Sequence, residues 1–336
     1  MSITLLVYVT IAVALLFDVI NGFHDAANSI ATVVSTRVLS PRLAVVWATV
    51  FNFAALFVFH QGVANTIAKI IKIGGNDQAF VWVVICGLLG AIVWNLLTWW
   101  WGLPSSSSHA LIGGLTGAGL AYGGPAVLET ANLYKTLYFI ILAPVIGLLL
   151  GGLLMIAVIW LFRRGRPRPV DRVFRIGQLF SAAAYSIGHG GNDAQKTIGV
   201  IWAVMVAGGM MPASATGAPS WVIIASYSAM AFGTAIGGKR IIKTMGMGIT
   251  SLKPIGGFCA NLAGAVTLFG ATYMHVPVST THTITGAIVG VGSVTNVRRI
   301  RWGMATRIVW AWVFTIPLAG GVGALALVIA RSLGAW

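Results

Sequence analysis

The chain has 336 residues, of which 58% are hydrophobic and only 8% are charged. About a quarter of the residues in a soluble domain are charged, so this composition excludes an ordinary soluble protein. The formal net charge of +15 does not indicate nucleic-acid binding, because the charges fall in short loops between apolar runs and fit the positive-inside rule of membrane proteins.

Apolar runs of spanning or half-spanning length occur along the whole chain. A membrane-spanning helix needs about 20 apolar residues, so we predict an all-α polytopic membrane protein with about 10–12 membrane segments. The first run lacks a basic start and a small-residue cleavage site, and we expect it to be a retained helix. The runs begin near Ile3, Leu43, Phe80, His109, Leu133, Val173, Ala194, Trp221, Ile255 and His282, and a long tail follows from Trp302.

The first run ends in a polar segment that recurs later in the chain. "GFHDAANSIA" (residues 22–31) matches "GGNDAQKTIG" (residues 190–199) at an offset of 168 positions. "LPSSSSHALIGG" (residues 103–114) matches "VPVSTTHTITGA" (residues 276–287) at an offset of 173, which Pro144 and Pro317 share. Two separate motifs at nearly one offset indicate an internal duplication.

The duplication predicts the domain organisation. Residues 1–162 form the first transmembrane repeat, residues 163–175 a basic linker, and residues 176–336 the second repeat. The linker, with six Arg, belongs in the cytoplasm by the positive-inside rule. Other basic loops, such as residues 297–301, lack a basic counterpart in the other half, which predicts inverted-topology repeats with broken helices and re-entrant or half helices. Both termini are then extracytoplasmic.

Two acidic residues occupy matching positions inside apolar runs. A charged side chain in the bilayer interior costs at least about 2.5–3.5 kcal/mol on insertion scales, so Asp25 and Asp193 are predicted to be functional. A nearby glycine predicts that one half-helix ends there and that the Asp caps the next. Asn28 lies three residues after Asp25, on the same helical face, and this pair of oxygen ligands suits a hard cation.

Lys196 stands where the first repeat has Asn28. Its ammonium, three residues after Asp193, can neutralise that carboxylate, occupy the place of a metal ion or bind an anion. The alternative is a side chain that extends to the membrane interface.

Two hydroxyl-rich tracts, "PSSSSH" and "PVSTTH", each follow an apolar helix and precede a short glycine-rich helix. Pro ends the incoming helix, and hydroxyls and free N–H groups then gather at the positive end of the next helix dipole, which binds oxyanions. A simple Ser/Thr N-cap would explain one tract. Two tracts, each with several hydroxyl residues in succession, favour contact with an anionic substrate. The predicted substrate-binding residues are Ser106, Ser107, Ser108, Ser279, Thr280, Thr281 and Lys196.

Four histidines lie within or beside these motifs. We expect them to position neighbouring groups or to carry protons during transport. A histidine-rich metal centre is the alternative, and no metal site is assigned. The four residues are His24, His109, His189 and His282.

The paired motifs resemble the signatures of the PiT family of inorganic phosphate transporters, and the bacterial low-affinity members above all. The resemblance implies uptake of inorganic phosphate, driven by a proton or sodium gradient, in the plasma (inner) membrane, and it makes a homodimer an expectation. The family pattern Asn-Asp-x-x-Asn also implies that Asn192 joins Asp25, Asn28 and Asp193 at the coupling cation. Animal members that use sodium have Glu where Asn52 stands, which favours proton coupling or a neutral metal–phosphate substrate here.

We therefore predict a symporter for inorganic phosphate, without a cofactor, coupled to H⁺ or Na⁺. A sulfate symporter of the same fold is one alternative, because the same donors suit any tetrahedral dianion. An intramembrane metalloenzyme that uses the His and Asp residues, and a passive channel, are alternatives of other classes.

Overall fold

Helices are the main secondary structure of the residues that the computed structural model describes, which are 2–72, 77–237, 241, 244–245 and 249–335. Short 3-10 turns follow some of the helices, and no strand occurs within these residues. The helices are α1 (Ile3–Ser35), α2 (Pro41–Ala54), α3 (Gly62–Ala68), α4 (Asp77–Trp101), α5 (Ser107–Gly123), α6 (Thr130–Leu161), α7 (Pro167–Ala207), α8 (Ser220–Ile236), α9 (Pro254–Tyr273), α10 (Thr280–Asn296) and α11 (Trp302–Ser332).

The order of helices in the first half recurs in the second. A long helix with a buried Asp begins each half (α1 and α7), and a short helix with a hydroxyl-rich start (α5 and α10) precedes a long final helix that contains a proline (α6 and α11). The halves interleave, because α5 packs on α11 and α10 packs on α6. The inverted orientation of the repeats and their exact boundaries remain predictions.

The predicted helix break beside each Asp does not occur. α1 and α7 continue through Asp25 and Asp193 as uninterrupted α-helices, so neither Asp is an N-cap. The glycines serve close packing instead. A Cβ on Gly22 would lie 2.3 Å from the backbone oxygen of Met230 in α8, and a Cβ on Gly190 would lie 2.4 Å from that of Asn52 in α2.

Broken and short helices occur elsewhere. The segments Pro41–Phe57 and Gly62–Ala68 meet at an angle of 84° and together have the composition of one broken span. α5 and α10 have 17 residues each, so at 1.5 Å per residue each is about 25 Å long and shorter than the bilayer core. Their hydroxyl-rich starts are buried inside the protein.

Several helices have the length and composition to cross a membrane. Among the described residues, five helices pass this test, or six if the bent pair is counted as one span. The most apolar stretches of α6 and α11 are only 28% and 22% buried, and side chains such as Leu149 and Leu153 are exposed, as expected for a lipid-facing surface. The protein is a multi-pass membrane protein, and the count of 10–12 segments stays a prediction.

Most of the predicted basic linker is helical. α6 ends at Leu161 and α7 begins at Pro167, because Pro is favourable in the first turn of a helix. Arg175 lies 3.1 Å from Asp171 one turn earlier and donates to the backbone oxygen of Arg37 at 3.0 Å. The connection is therefore a short turn that leads into an exposed, basic extension of α7.

Candidate functional site

The two hydroxyl-rich tracts form equivalent N-caps. Ser106 Oγ accepts the backbone N–H of His109 at 3.2 Å, and Ser279 Oγ accepts that of His282 at 3.2 Å. The hydroxyls of both tracts are buried, with no residue more than 4% exposed. Because an N-cap leaves other N–H groups of the first turn free, each tract presents donors inside the protein.

The tracts of the two halves lie next to each other. Ser108 Oγ of the first tract donates to the backbone oxygen of Val278 in the second at 3.1 Å. The helix N-termini of α5 and α10 therefore meet in the interior, which is the arrangement that the sequence predicts.

Lys196 joins both tracts to an acidic residue. Its ammonium lies 2.5 Å from Asp193 Oδ1, donates to the Val278 carbonyl at 2.8 Å and also donates to Ser108 Oγ. The residue is 1% exposed, so the interpretation that it extends to the membrane interface is wrong. A buried ammonium needs such a set of partners to offset its desolvation.

The two repeat-related carboxylates converge. Ligand atoms of Asp25, His189 and Asp193 all lie within 4.8 Å of one another, and all three side chains are buried. His189 Nε2 is 3.4 Å from Asp193 Oδ2. This is the only group of three or more His, Cys, Asp or Glu residues in the described part of the chain that is arranged to hold a cation.

His24 holds the first carboxylate in place. Its Nδ1 lies 2.7 Å from Asp25 Oδ1, and its Nε2 lies 3.0 Å from Thr98 Oγ1 on α4. Ser105, at the start of the first tract, donates to the same Thr98 hydroxyl at 2.9 Å. The positioning role predicted for His24 therefore has a structural counterpart that links α1 to the first tract.

Asn28 connects α1 to the second tract. Its Nδ2 donates to Thr281 Oγ1 at 2.8 Å and to Thr280 Oγ1 at 3.3 Å. Thr280 Oγ1 in turn donates to Asp193 Oδ2 at 3.3 Å. One hydrogen-bonded network thus contains an amide, two hydroxyls and a carboxylate from both repeats.

Asn192 does not have the geometry expected from the family pattern. Its Nδ2 donates to Thr272 Oγ1 and to the Val276 carbonyl, both at 3.1 Å, and its Oδ1 accepts the Val278 N–H at 3.1 Å. Because Asn192 is the residue just before Asp193 in a continuous helix, its side chain points to a different face. It fixes the turn before α10.

His109 and His282 contact each other. Their rings meet edge to face at 4.2 Å, and His282 stacks on Trp312 of α11 at 3.7 Å. Neither belongs to the cation-holding group. The four histidines therefore do not form one metal centre within the described residues.

Three further site residues, Asn52, Tyr185 and Thr98, lie outside the repeated motifs. His189 Nδ1 lies 3.1 Å from Asn52 Oδ1, the Tyr185 hydroxyl donates to the Thr280 carbonyl at 2.9 Å, and Thr98 binds His24. Each is a polar residue within an apolar run. For Tyr185 and Thr98 that feature is the only signal, whereas Asn52 also departs from the Glu of the animal family members. Neither signal identifies the partners.

Comparison with known proteins gives one consistent result. Residues 21–323 match the Phosphate transporter family. A probable low-affinity inorganic phosphate transporter of Rhizobium meliloti is 53% identical over 94% of this chain and 93% of its own length. One of Bacillus subtilis with the same description is 43% identical over 98% of both chains.

A solved structure has the same fold. The structure described as the sodium-dependent phosphate transporter superposes with a TM-score of 0.88 at 21% identity, over 98% of this chain and 99% of that one.

Proposed function

Because this chain belongs to the phosphate transporter family, we propose that it imports inorganic phosphate by secondary active symport with a cation. The observation that carries this proposal is the meeting of two helix N-termini, their hydroxyls and Lys196 beside two buried carboxylates. Hydrogen-bond donors for the anion and oxygen ligands for the cation then share one buried site, so the two solutes stabilise each other. The relatives are transporters, which argues against the metalloenzyme alternative.

The oxyanion would be bound by the two tracts and Lys196. The dipoles of α5 and α10 place positive ends at the same point, and the ammonium adds a full charge. Ser107 Oγ is buried and has no hydrogen-bond partner among the described residues, so its hydroxyl is free to donate to a phosphate oxygen. The predicted set Ser106–Ser108, Ser279–Thr281 and Lys196 is therefore our proposed substrate site.

The coupling cation would be bound by Asp25, Asp193 and Asn28, with His189 beside them. A cation between the two carboxylates competes with Lys196 for Asp193. Lys196 is then released toward the phosphate, and phosphate in turn draws the ammonium away from Asp193. This exchange of partners makes each solute raise the affinity for the other, which is the thermodynamic basis of symport.

We propose H⁺ as the coupling ion, or a divalent metal that enters with phosphate as a neutral complex. Asn52 supplies an amide to His189 rather than a carboxylate, so the site has fewer negative ligands for Na⁺. By the positive-inside rule we place the protein in the plasma (inner) membrane, with the basic segment 163–175 in the cytoplasm and both termini outside.

The test is uptake of radiolabelled phosphate into sealed proteoliposomes, with H⁺, Na⁺ and Mg²⁺ gradients imposed one at a time. Accumulation against a phosphate gradient supports symport and excludes a channel. Uptake that requires Na⁺ and ignores a pH gradient contradicts H⁺ coupling. The matched variants are Asp25→Asn and Asp193→Asn, which keep the side-chain shape, with Asp171→Asn as the exposed control.

Sulfate is the rival substrate, and competition separates it from phosphate. A site with an acceptor for the hydroxyl of hydrogen phosphate rejects sulfate, because that acceptor would face an oxyanion. The carboxylate of Asp25 or Asp193 that does not hold the coupling cation would be such an acceptor. We expect the site to prefer phosphate to sulfate by a factor well above about one hundred. A hundredfold excess of sulfate should therefore leave phosphate uptake nearly unchanged. Equal competition would assign the site to tetrahedral dianions in general.

A further inference from the structure

A third buried carboxylate lies in α1, outside the site described above. Asp18 is seven positions before Asp25 and is fully buried. Thr197 of α7 donates to its Oδ1 at 2.6 Å, whereas its Oδ2 has no hydrogen-bond partner in the described part of the chain. A buried carboxylate with only neutral partners is incompletely compensated, because burial of a charge without an opposite charge is costly.

The atoms around Asp18 are oxygens that lack other partners. The hydroxyl of Ser226 on α8 faces the carboxyl, and Asn21 lies one turn further along the same face of α1. Apart from this interaction of Ser226 with Asp18, Ser226 Oγ and Asn21 Oδ1 are buried and have no other hydrogen-bond partner among the described residues. Carboxylate, hydroxyl and amide oxygens are the ligands that hard cations prefer.

No basic side chain pairs with Asp18 among the described residues. The charged groups that influence it are Asp193 and Lys196 of α7, and the Lys196 ammonium is itself bound to Asp193. A positive charge at Asp18 would therefore have to come from solution.

A cavity lies close to this point. A cavity of about 560 Å³ is lined by Gln61, Gln195, Thr216 and Tyr227, among others. Gln195 is two residues before Thr197, Tyr227 follows Ser226, and Tyr227 is near enough to be influenced by the charge of Asp18. The cavity thus ends near the Asp18 cluster, although the four residues of the cluster are not part of its lining.

The duplication does not repeat this cluster. At the offset of 168 that relates Asp25 to Asp193, the counterpart of Asp18 is Ser186. Ser186 is buried as well but carries no charge. Asp18 therefore has no charged counterpart in the second repeat, unlike the paired carboxylates of the central site.

We propose that Asp18, with Thr197, Ser226 and Asn21, forms a second cation site that takes a hard cation from this cavity. The proposal goes beyond the proposed function, since it concerns binding of a cation at a place separate from the phosphate site. Na⁺ and Mg²⁺ share the required oxygen-coordination chemistry, whereas a proton would form an O–H bond with Asp18 alone, and the arms of the experiment distinguish the three.

The experiment isolates this site in an Asp25→Asn background, in which one central carboxylate is neutral. The purified full chain in lipid nanodiscs is unfolded by heat in series of NaCl, MgCl₂ and pH, with choline chloride to keep ionic strength constant. A ligand that binds the folded state raises the melting temperature with its concentration. We expect one of the three series to do so.

Adding Asp18→Asn to this background should raise the half-saturating cation concentration by about tenfold or more. Adding Ser226→Ala should raise it severalfold. Adding Ser186→Ala, the matched control, should leave it unchanged. An identical response with and without Asp18→Asn overturns the proposal, as does the absence of any cation response. If Asp18→Asn prevents folding, the Ser226→Ala pair decides by the same criterion.

Phosphate uptake by the unsubstituted protein is measured separately. Uptake with no Asp18-dependent cation response overturns this inference alone. A cation response through Asp18 in a protein that does not take up phosphate overturns the proposed function alone.

Discussion

The ammonium of Lys196 lies 2.5 Å from a carboxylate oxygen of Asp193, and both side chains are buried beside the Ser108 hydroxyl. The two residues are three positions apart on α7, so the helix itself sets their separation. The pair is the only direct ionic contact between the proposed anion and cation sites within the described residues. Several measurable effects depend on it.

Replacing Lys196 with Met should abolish phosphate uptake and lower stability by about 3–5 kcal/mol, because it leaves a buried carboxylate unpaired. The double variant Lys196→Met/Asp193→Asn should recover most of the stability but none of the uptake. Thermal unfolding and proteoliposome uptake are the measurements. Lys72→Met, which removes a half-exposed ion pair with Glu129, is the control and should behave nearly as the unsubstituted protein. Uptake by the double variant would contradict the substrate role of Lys196.

The two neighbouring serines of the first tract should respond differently to substitution. Ser106→Ala removes an N-cap and should cost about 0.5–2 kcal/mol of stability. Ser107→Ala removes a hydroxyl with no described partner, so stability should hardly change while the KM for phosphate rises by about tenfold, as for the loss of one hydrogen bond to a charged group. A Ser107→Ala protein with an unchanged KM would remove this residue from the substrate site.

Asn192 and Asp193 provide a test of the corrected role of Asn192. Asn192→Ala frees the Val276 carbonyl and the Val278 N–H, so we expect a higher KM for phosphate and an unchanged dependence on the coupling cation. Asp193→Asn should alter the cation dependence itself. The measurement is uptake as a function of each gradient in turn. A change in cation dependence with Asn192→Ala would restore the ligand role implied by the family pattern.

Gly22 should tolerate no side chain. Its Cβ would lie 2.3 Å from the Met230 carbonyl, so Gly22→Ala should force α1 and α8 apart and cost about 1–3 kcal/mol. Gly270→Ala in α9, where the added Cβ meets nothing within 4 Å, should be neutral or stabilising. Melting temperatures of the two purified variants provide the comparison, and equal values would refute the packing role of Gly22.

The convergence of the central site follows from the sequence because it rests on repetition. Two copies each of an acidic motif and a hydroxyl-rich tract indicate a shared place, and Asp25 does lie beside Asp193 while Ser108 contacts the second tract. Local rules failed at Gly22, where a glycine beside an Asp suggested a helix break. The helix continues, and the glycine instead allows close packing against Met230, more than two hundred residues away.

The remaining site residues lacked a usable signal for the same physical reason. Thr98 and Tyr185 reach partners on other helices, and the sequence spacing of one helix carries no information about which face of another will meet it. Asn192 shows the converse error. Its neighbour Asp193 faces the site, but a step of one residue turns a side chain by about 100° around a continuous helix.

The exchanged packing of α5 on α11 and α10 on α6 has a consequence for biogenesis. When the first six helices have left the ribosome, α5 still lacks α11, α6 still lacks α10, and Asn28 still lacks both threonines that it binds. The newly inserted half must therefore remain open, with polar groups shielded by water or by insertion machinery, until the C-terminal helices arrive. Completion of translation, rather than insertion of each hairpin, closes the molecule.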